Sequence, residues 1–449
     1  MGGWPQLRES RTVTSGQAPG TVIRCGLRDT LLSNVPVSIV LFFARPLPAD
    51  DLAKGLARAL AAVPVFGGRM RTTGDLLEIV CSDEGVPMEF YTIDDTLAEA
   101  VSRVAMPNSG LANHCEATKA RDGGLPLLTV RVTEFSDGGT AVCTSFHHSV
   151  GDMQTYMLFM QAWSAAVDGG EMPEAVVVED RDGYLDEILP PSDGGMPSFR
   201  LPEPAEAEAL AAELAAAARA NRTVQIYFGT QEVARMRDEL AAEAGRWLST
   251  NDVLAAHIHT ALRDLDDYDG VRHISMPVNI RPRLDLPPAV VGNILSEVYV
   301  PCAPETTTAQ FAAQIRATMD DLAVTPPSFR ADERLIEQLG RDRLPDLVPY
   351  AFDPPRRTFS LSNWTRFGVV DVTLGGQRPV MVSPTTAVSL PWVAWLVEGF
   401  DGAGYLLTIV VPVRFAGKLR GEAGRARLHR FRADDDELPP LAVAAGRII

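Results

Sequence analysis

The chain has 449 residues, 46% apolar and 22% charged, the balance of a soluble globular protein long enough for two lobes of roughly 150 to 250 residues each. Its formal net charge of −17 excludes broad nucleic-acid binding and attachment to an anionic membrane, so a phosphate-bearing ligand must find a local basic patch. Cys25, Cys81, Cys115, Cys143 and Cys302 lack CxxC spacing and read as free thiols; with no signal-peptide pattern and no membrane-length apolar run, a cytoplasmic protein is expected.

Residues 37–44 (VSIVLFFA) are rich in β-branched and aromatic side chains and predict a strand. Pro46 and Pro48 end it before an alanine- and leucine-rich helix over 50–62. Two apolar runs, 127–135 and 140–146, flank Ser136-Asp137-Gly138-Gly139, a hairpin signal whose second strand delivers His147 and His148. Past Asp152, apolar residues at 153, 156, 157, 160 and 163 repeat at the spacing of one helix face. His147-His148-Ser149-Val150-Gly151-Asp152 therefore sits at a strand-to-helix junction.

Loop signals then gather over 171–221, including Pro190-Pro191, Asp193-Gly194-Gly195 and Pro202, with a helix over 203–220. This predicts an interlobe connection. The second lobe reads as a strand over 224–228, a helix over 231–244, and a Ser249-Thr250-Asn251-Asp252 cap starting a helix through 262. A strand over 273–279 leads into Arg281-Pro282-Arg283; helices follow over 308–322 and 332–339, and strands over 358–364, 369–372, 393–398 and 405–413. The expected fold class is α/β, with α+β mixed sheets: βαβ alternation is not strict, and no GxGxxG or Walker-type loop occurs. The expected division is 1–190, an N-terminal lobe; 191–223, a crossover segment; and 224–449, a C-terminal lobe.

Acyl transfer from a thioester to an alcohol or amine needs a base for the acceptor's proton, and a neutral imidazole serves at neutral pH. His148 is the candidate. Asp152, four residues on, can fold back beneath the turn as its support, held by an arginine partner for which Arg281 and Arg283 are available. Alone, HxxxD is weak evidence in a chain with seven histidines, and a structural histidine near a turn explains it as well.

The surrounding sequence carries further signals in order. Val63-Pro64-Val65-Phe66-Gly67-Gly68-Arg69 looks like a helix end followed by an "LAGR" turn, and 125–130 (LPLLTV) like the strand leading to a catalytic hairpin. The motif at 147–152 matches HHxxxD, with Phe159 and Trp163 as an aromatic pair on the next helix. Residues 249–252 resemble "STxD", and Val278-Asn279-Ile280-Arg281-Pro282-Arg283-Leu284, with Pro287-Pro288 and Gly292-Asn293, resembles "VxxRxRLxPPxxxxxxGN". Together these resemble the BAHD acyltransferases, relatives of chloramphenicol acetyltransferase and of condensation domains.

The resemblance implies two chloramphenicol acetyltransferase-like lobes with a channel between them, His148 as general base, Asp152 as structural acid and Arg281 as its partner. Ser362-Asn363-Trp364 resembles the family's (Thr/Ser)-x-Trp strand, so Ser362 and Trp364 are the implied oxyanion donors. It implies no metal and no permanently bound cofactor. Acyl-CoA is the implied co-substrate, a carrier protein's phosphopantetheine arm the alternative donor, and a small specialised metabolite the acceptor; a monomer is expected.

One segment departs from the family pattern. Where DFGWG is expected, Thr373-Leu374-Gly375-Gly376-Gln377 stands, followed by Arg378-Pro379, and Met153 replaces the small residue that tends to follow the motif aspartate. The departure leaves the base in place and puts donor identity in question. Two other readings therefore stand beside the acyl-CoA enzyme: a condensation-type enzyme using a carrier protein, and a non-catalytic binding protein on the same scaffold.

Overall fold

The computed structural model describes residues 4–74, 76–106, 109–192, 194–322, 327–353, 357–385 and 390–449. Met1 to Gly3 and the loop residue Asp193 lie outside them. Two compact units emerge, neither continuous in sequence: Met1–Pro190 with Asn279–Leu295 and Thr365–Ala387, and Pro191–Val278 with Ser296–Trp364 and Val388–Ile449.

This differs from an uninterrupted second lobe over 224–449, for a backbone reason. Met381–Thr385 pairs antiparallel with Pro36–Phe43 as an edge strand of the first unit's main sheet. Val290–Val291 likewise pairs in parallel with Val176–Val177. Residues 191–223, expected as a separate crossover, cluster with the second unit.

Among the described residues the first unit's main sheet runs Gln6–Val13, Val86–Ile93, Leu128–Phe135, Thr140–His147, Pro36–Phe43, Met381–Thr385. The central hairpin turns at Ser136 to Gly139, where Phe135 N donates to Gly139 O at 2.8 Å and the Asp137 carboxylate accepts from Gly139 N at 3.2 Å. One face of the hairpin packs on the helix Met153–Asp168. Phe146 stacks on Tyr156 (5.2 Å), whose hydroxyl meets Thr144 Oγ1 at 2.9 Å, and Phe66 stacks on Phe159 (4.3 Å). Trp163 anchors the same helix by donating its indole N–H to Leu52 O at 3.0 Å. These buried aromatics fix the helix start against the strand end, where the motif lies.

The second unit's sheet runs Asn221–Phe228, Tyr405–Pro412, Val393–Glu398, Thr358–Asn363, Arg272–Asn279, Leu295–Cys302. Its helix Thr250–Leu265 starts at the expected cap: Ser249 Oγ accepts from Asp252 N (3.2 Å) and Asp252 Oδ2 from Ser249 N (2.8 Å), a reciprocal capping box. The strand expected over 369–372 is instead a short 3₁₀ turn, Val369–Asp371, because Gly368 enters it at φ +77° and Asp371 N closes on Gly368 O at 3.0 Å. All five cysteines are buried and free. Among the described residues no helix is long and apolar enough to cross a membrane, and no three His, Cys, Asp or Glu side chains gather as metal ligands.

Candidate active site

The strand Thr140–His147 ends in a 3₁₀ turn, His148–Val150, and Asp152 then caps the helix Met153–Asp168 by accepting from Thr155 N at 3.0 Å. Gly151 permits the tight passage between them. A Cβ there would lie 2.5 Å from Thr155 Cβ, and Thr155 cannot yield because its hydroxyl bonds both Gly292 N (3.0 Å) and Gly292 O (3.1 Å).

Asp152 is buried and its carboxylate is fully engaged. Arg281 Nη1 donates to Oδ2 at 2.7 Å and Nη2 to Oδ1 at 3.2 Å; Ile294 N donates to Oδ2 at 3.0 Å, beside the Thr155 N–H. A carboxylate offers about four lone-pair sites, and these contacts occupy them. Arg281, equally buried, completes its own donor set on Val290 O (3.0 Å), Gly292 O (2.9 Å) and Asn279 Oδ1 (3.1 Å). The guanidinium meeting Asp152 is thus that of Arg281; Arg283 donates to Asn279 O at 3.3 Å. With its oxygens so placed, Asp152 fixes the turn and has no lone pair left to hydrogen-bond the His148 ring.

A second buried ion pair, not foreseen from the sequence, holds the other side of the turn. Arg181 Nη1 lies 3.0 Å from Asp29 Oδ2 and donates to Ser149 O at 2.7 Å, while Nη2 donates to Val150 O at 2.9 Å. Ser149 Oγ donates to Asp29 O at 2.6 Å. Asn293 Nδ2 bridges Asp29 Oδ1 (2.7 Å) and His148 O (2.8 Å). Every carbonyl of the 148–150 turn therefore has a side-chain donor. Asn293 was visible in the Gly292-Asn293 pair; Asp29 and Arg181 lay in unremarkable polar stretches, distant from the motif.

The two histidines diverge. His147 is fully buried, accepts from Ser149 N at Nδ1 (3.2 Å), and burial presses its pKa down to about 4, so it is a neutral structural ring. His148 is half-buried; burial again lowers its pKa, opposed by its own backbone carbonyl, by Asp152 and Asp29, and by the Asn293 side chain. Its Nδ1 is buried with no hydrogen-bond partner of normal geometry among the described residues. Nε2 is the nitrogen left for another molecule. A neutral imidazole with a bare nitrogen can accept a proton.

Ser362 and Trp364 belong to the second unit. The indole of Trp364 is buried and donates to Ser362 Oγ at 2.9 Å, and its backbone N–H donates to Leu396 O at 2.8 Å. Of the two donors expected, the indole is directed onto the serine hydroxyl.

The divergent segment 373–377 lies in the first unit as a tight turn, Gly375 and Gly376 at φ +61° and +67° with Leu374 paired to Gln377. Thr373 N donates to Ser164 Oγ at 3.1 Å, and Gly376 N to Asp168 Oδ1 at 2.9 Å. Two backbone N–H groups thus tie this turn to the last turns of the helix Met153–Asp168.

The fold is shared with solved acyltransferases. Vinorine synthase superposes with a TM-score of 0.68 at 17% identity, covering 93% of this chain and 97% of that one. F. graminearum TRI101 complexed with coenzyme A and T-2 mycotoxin gives 0.70 at 15% identity, covering 90% and 98%. Fold and sequence together define an acyltransferase of the chloramphenicol acetyltransferase-like class.

The Transferase family model matches residues 17–413, and the chain belongs to that family, the BAHD acyltransferases. Among curated relatives, epi-neemfruitin B synthase of Melia azedarach is 24% identical over 395 residues, 84% of each chain. Anthranilate N-benzoyltransferase protein 3 of Dianthus caryophyllus is 25% identical over 391 residues, 80% of this chain and 81% of that one.

Proposed function

We propose that the protein transfers an acyl group from acyl-CoA to the hydroxyl or amine of a small specialised metabolite, with His148 as general base. The acceptor's proton passes to His148 Nε2 as its oxygen or nitrogen attacks the thioester carbonyl. Collapse of the tetrahedral intermediate expels the CoA thiolate, which recovers the proton from the imidazolium. No protein nucleophile is involved, so both substrates must be bound at once. Ser362, backed by the Trp364 indole, is the proposed oxyanion donor on the strength of the family resemblance.

The observation that carries this reading is the division of labour across the motif: Asp152 is saturated by Arg281 and backbone donors, while no side chain or backbone group among the described residues hydrogen-bonds the half-buried His148 at Nε2. An Asp152 without an arginine partner would have favoured a non-catalytic scaffold, and Arg281 supplies that partner. Coenzyme A bound to TRI101 supports a CoA donor.

The test is thiol release from a panel of acyl-CoA donors with small hydroxyl and amine acceptors. Activity that His148→Ala abolishes supports the reading, and parental activity in His148→Ala refutes the mechanism. Turnover only with an acylated carrier protein would shift the donor to the phosphopantetheine arm. Because burial lowers the His148 pKa, the acid limb of kcat/KM is expected below the ordinary histidine value near 6.5.

A further inference from the structure

One face of the second unit's sheet packs into that unit's core, where Leu407, Ala394, Leu396 and Leu361 are buried. Side chains alternate along a strand, so the residues between these form the opposite face. Across its middle, the register sets Gln225, Thr408, Trp395 and Ser362 side by side, one from each of four adjacent strands.

That row is uneven. Gln225 and Thr408 are buried and joined, Gln225 Nε2 donating to Thr408 Oγ1 at 3.3 Å. Trp395 and Ser362 are only half-buried. Yet Val393 and Val397, which flank Trp395 on the same face of the same strand, are 9% and 0% exposed. A strand inside a sheet that is covered on both sides of one residue and open at it has a gap in its cover there. What the gap exposes is an indole beside a serine hydroxyl. The serine accepts from the Trp364 N–H at 2.9 Å, and the Trp364 ring lies against that of Trp395, centroids 6.5 Å apart and planes tilted by 56°.

We propose that Trp395 is a specificity-determining residue for the donor. Its ring is the wall on which the acyl substituent lies, and it selects planar aromatic acyl groups over short aliphatic ones. The proposal rests on the reading above, in which Ser362 meets the developing oxyanion. The acyl substituent is bonded to the same carbon as that oxygen, and adjacent strands are about 4.8 Å apart, so a carbonyl held at Ser362 brings its substituent alongside Trp395. A benzoyl ring reaches across to the indole, whereas an acetyl group ends at its first carbon. An offset or edge-to-face ring pair adds about 2- to 12-fold to binding beyond the area it buries, a gain that a short alkyl chain cannot collect.

The experiment measures thiol release by the full chain from benzoyl-CoA and from acetyl-CoA with the same acceptor. The readout is the ratio of the two kcat/KM values, in which the amount of folded protein cancels. The parent is expected to favour benzoyl-CoA. Trp395→Ala should lose about 10- to 100-fold of that preference, the range of discrimination an apolar wall supplies, and Trp395→Phe should keep the greater part of it. A merely structural tryptophan would lower both donors together.

A ratio unchanged in Trp395→Ala overturns the proposal, and so does a parent that prefers acetyl-CoA, a result that needs no variant to fold. Both leave the His148 reading standing. Full activity in His148→Ala would instead sink the base assignment, with the donor ratio still deciding the role of Trp395. No thiol release from any acyl-CoA refutes both.

Discussion

Arg281→Met removes the guanidinium and leaves Asp152 buried with a charge that only the Thr155 and Ile294 N–H groups meet. Breaking one side of a buried ion pair costs about 3–5 kcal/mol, because the surviving charge stays desolvated. Asp152→Asn keeps an N-cap acceptor for Thr155 and so isolates the charge; it leaves Arg281 equally uncompensated, with a similar penalty. The double variant buries neither charge. Its destabilisation should fall short of the sum of the singles by about 2–3 kcal/mol, the upper range for directly contacting residues. Urea unfolding, read as midpoint and slope, measures all four proteins. Additive penalties would show that Asp152 and Arg281 do not act on each other, and the account of the turn's rigidity would fail with them.

Ser362→Ala is expected to lower kcat by about 100- to 1,000-fold, as for loss of one oxyanion donor. Trp364→Phe, which acts through the serine, should lower it less; stopped-flow acyl transfer compares the two. Gly151→Ala forces a Cβ into Thr155 and should destabilise by about 1–3 kcal/mol, read by thermal melting. Acid should destabilise the fold through buried neutral histidines: His147 and His257 have pKa values pressed to about 4 and His259 to about 3, each chiefly by burial. A histidine pKa depressed in the folded state means the unfolded chain binds more protons. Stability is then fully present above about pH 6.5 and lost as pH falls toward 4, by about 3 kcal/mol per ring. A midpoint in urea that stays flat from pH 7 to pH 5 would contradict this.

The motif helix and its hairpin were legible because each carries a pattern with one solution: apolar alternation around a glycine turn, and a helical repeat behind an aspartate cap. The first strand, Gln6–Val13, was not, since nearly all its residues are exposed and no face is apolar. Met381–Thr385 contains Pro384, a residue that argues against a central strand, and it is in fact an edge. In the site, Arg281 could be read from a spaced motif. The Asp29–Arg181 pair could not, because a buried carboxylate looks like any other aspartate until the partner that neutralises it is brought alongside. The replaced DFGWG segment reads as a loss from sequence, yet the substitute is tied in by the Thr373 and Gly376 N–H groups, by the Thr373 hydroxyl on Ser164 Oγ, and by the Gln377 carboxamide, which donates to Pro46 O.

The return of residues 365–387 to the first unit bears on how the protein is made. On the ribosome the hairpin, the motif helix and the strand Pro36–Phe43 emerge long before Met381–Thr385, which completes their sheet. Until Arg281 arrives, Asp152 is without its counter-ion. At roughly 5–20 residues per second, the nascent first unit waits many seconds with an open sheet edge and an unneutralised turn. Expression as two separate halves split near residue 190 is therefore expected to yield an insoluble N-terminal fragment, and a chaperone that shields strand edges during translation should raise the yield of the whole chain.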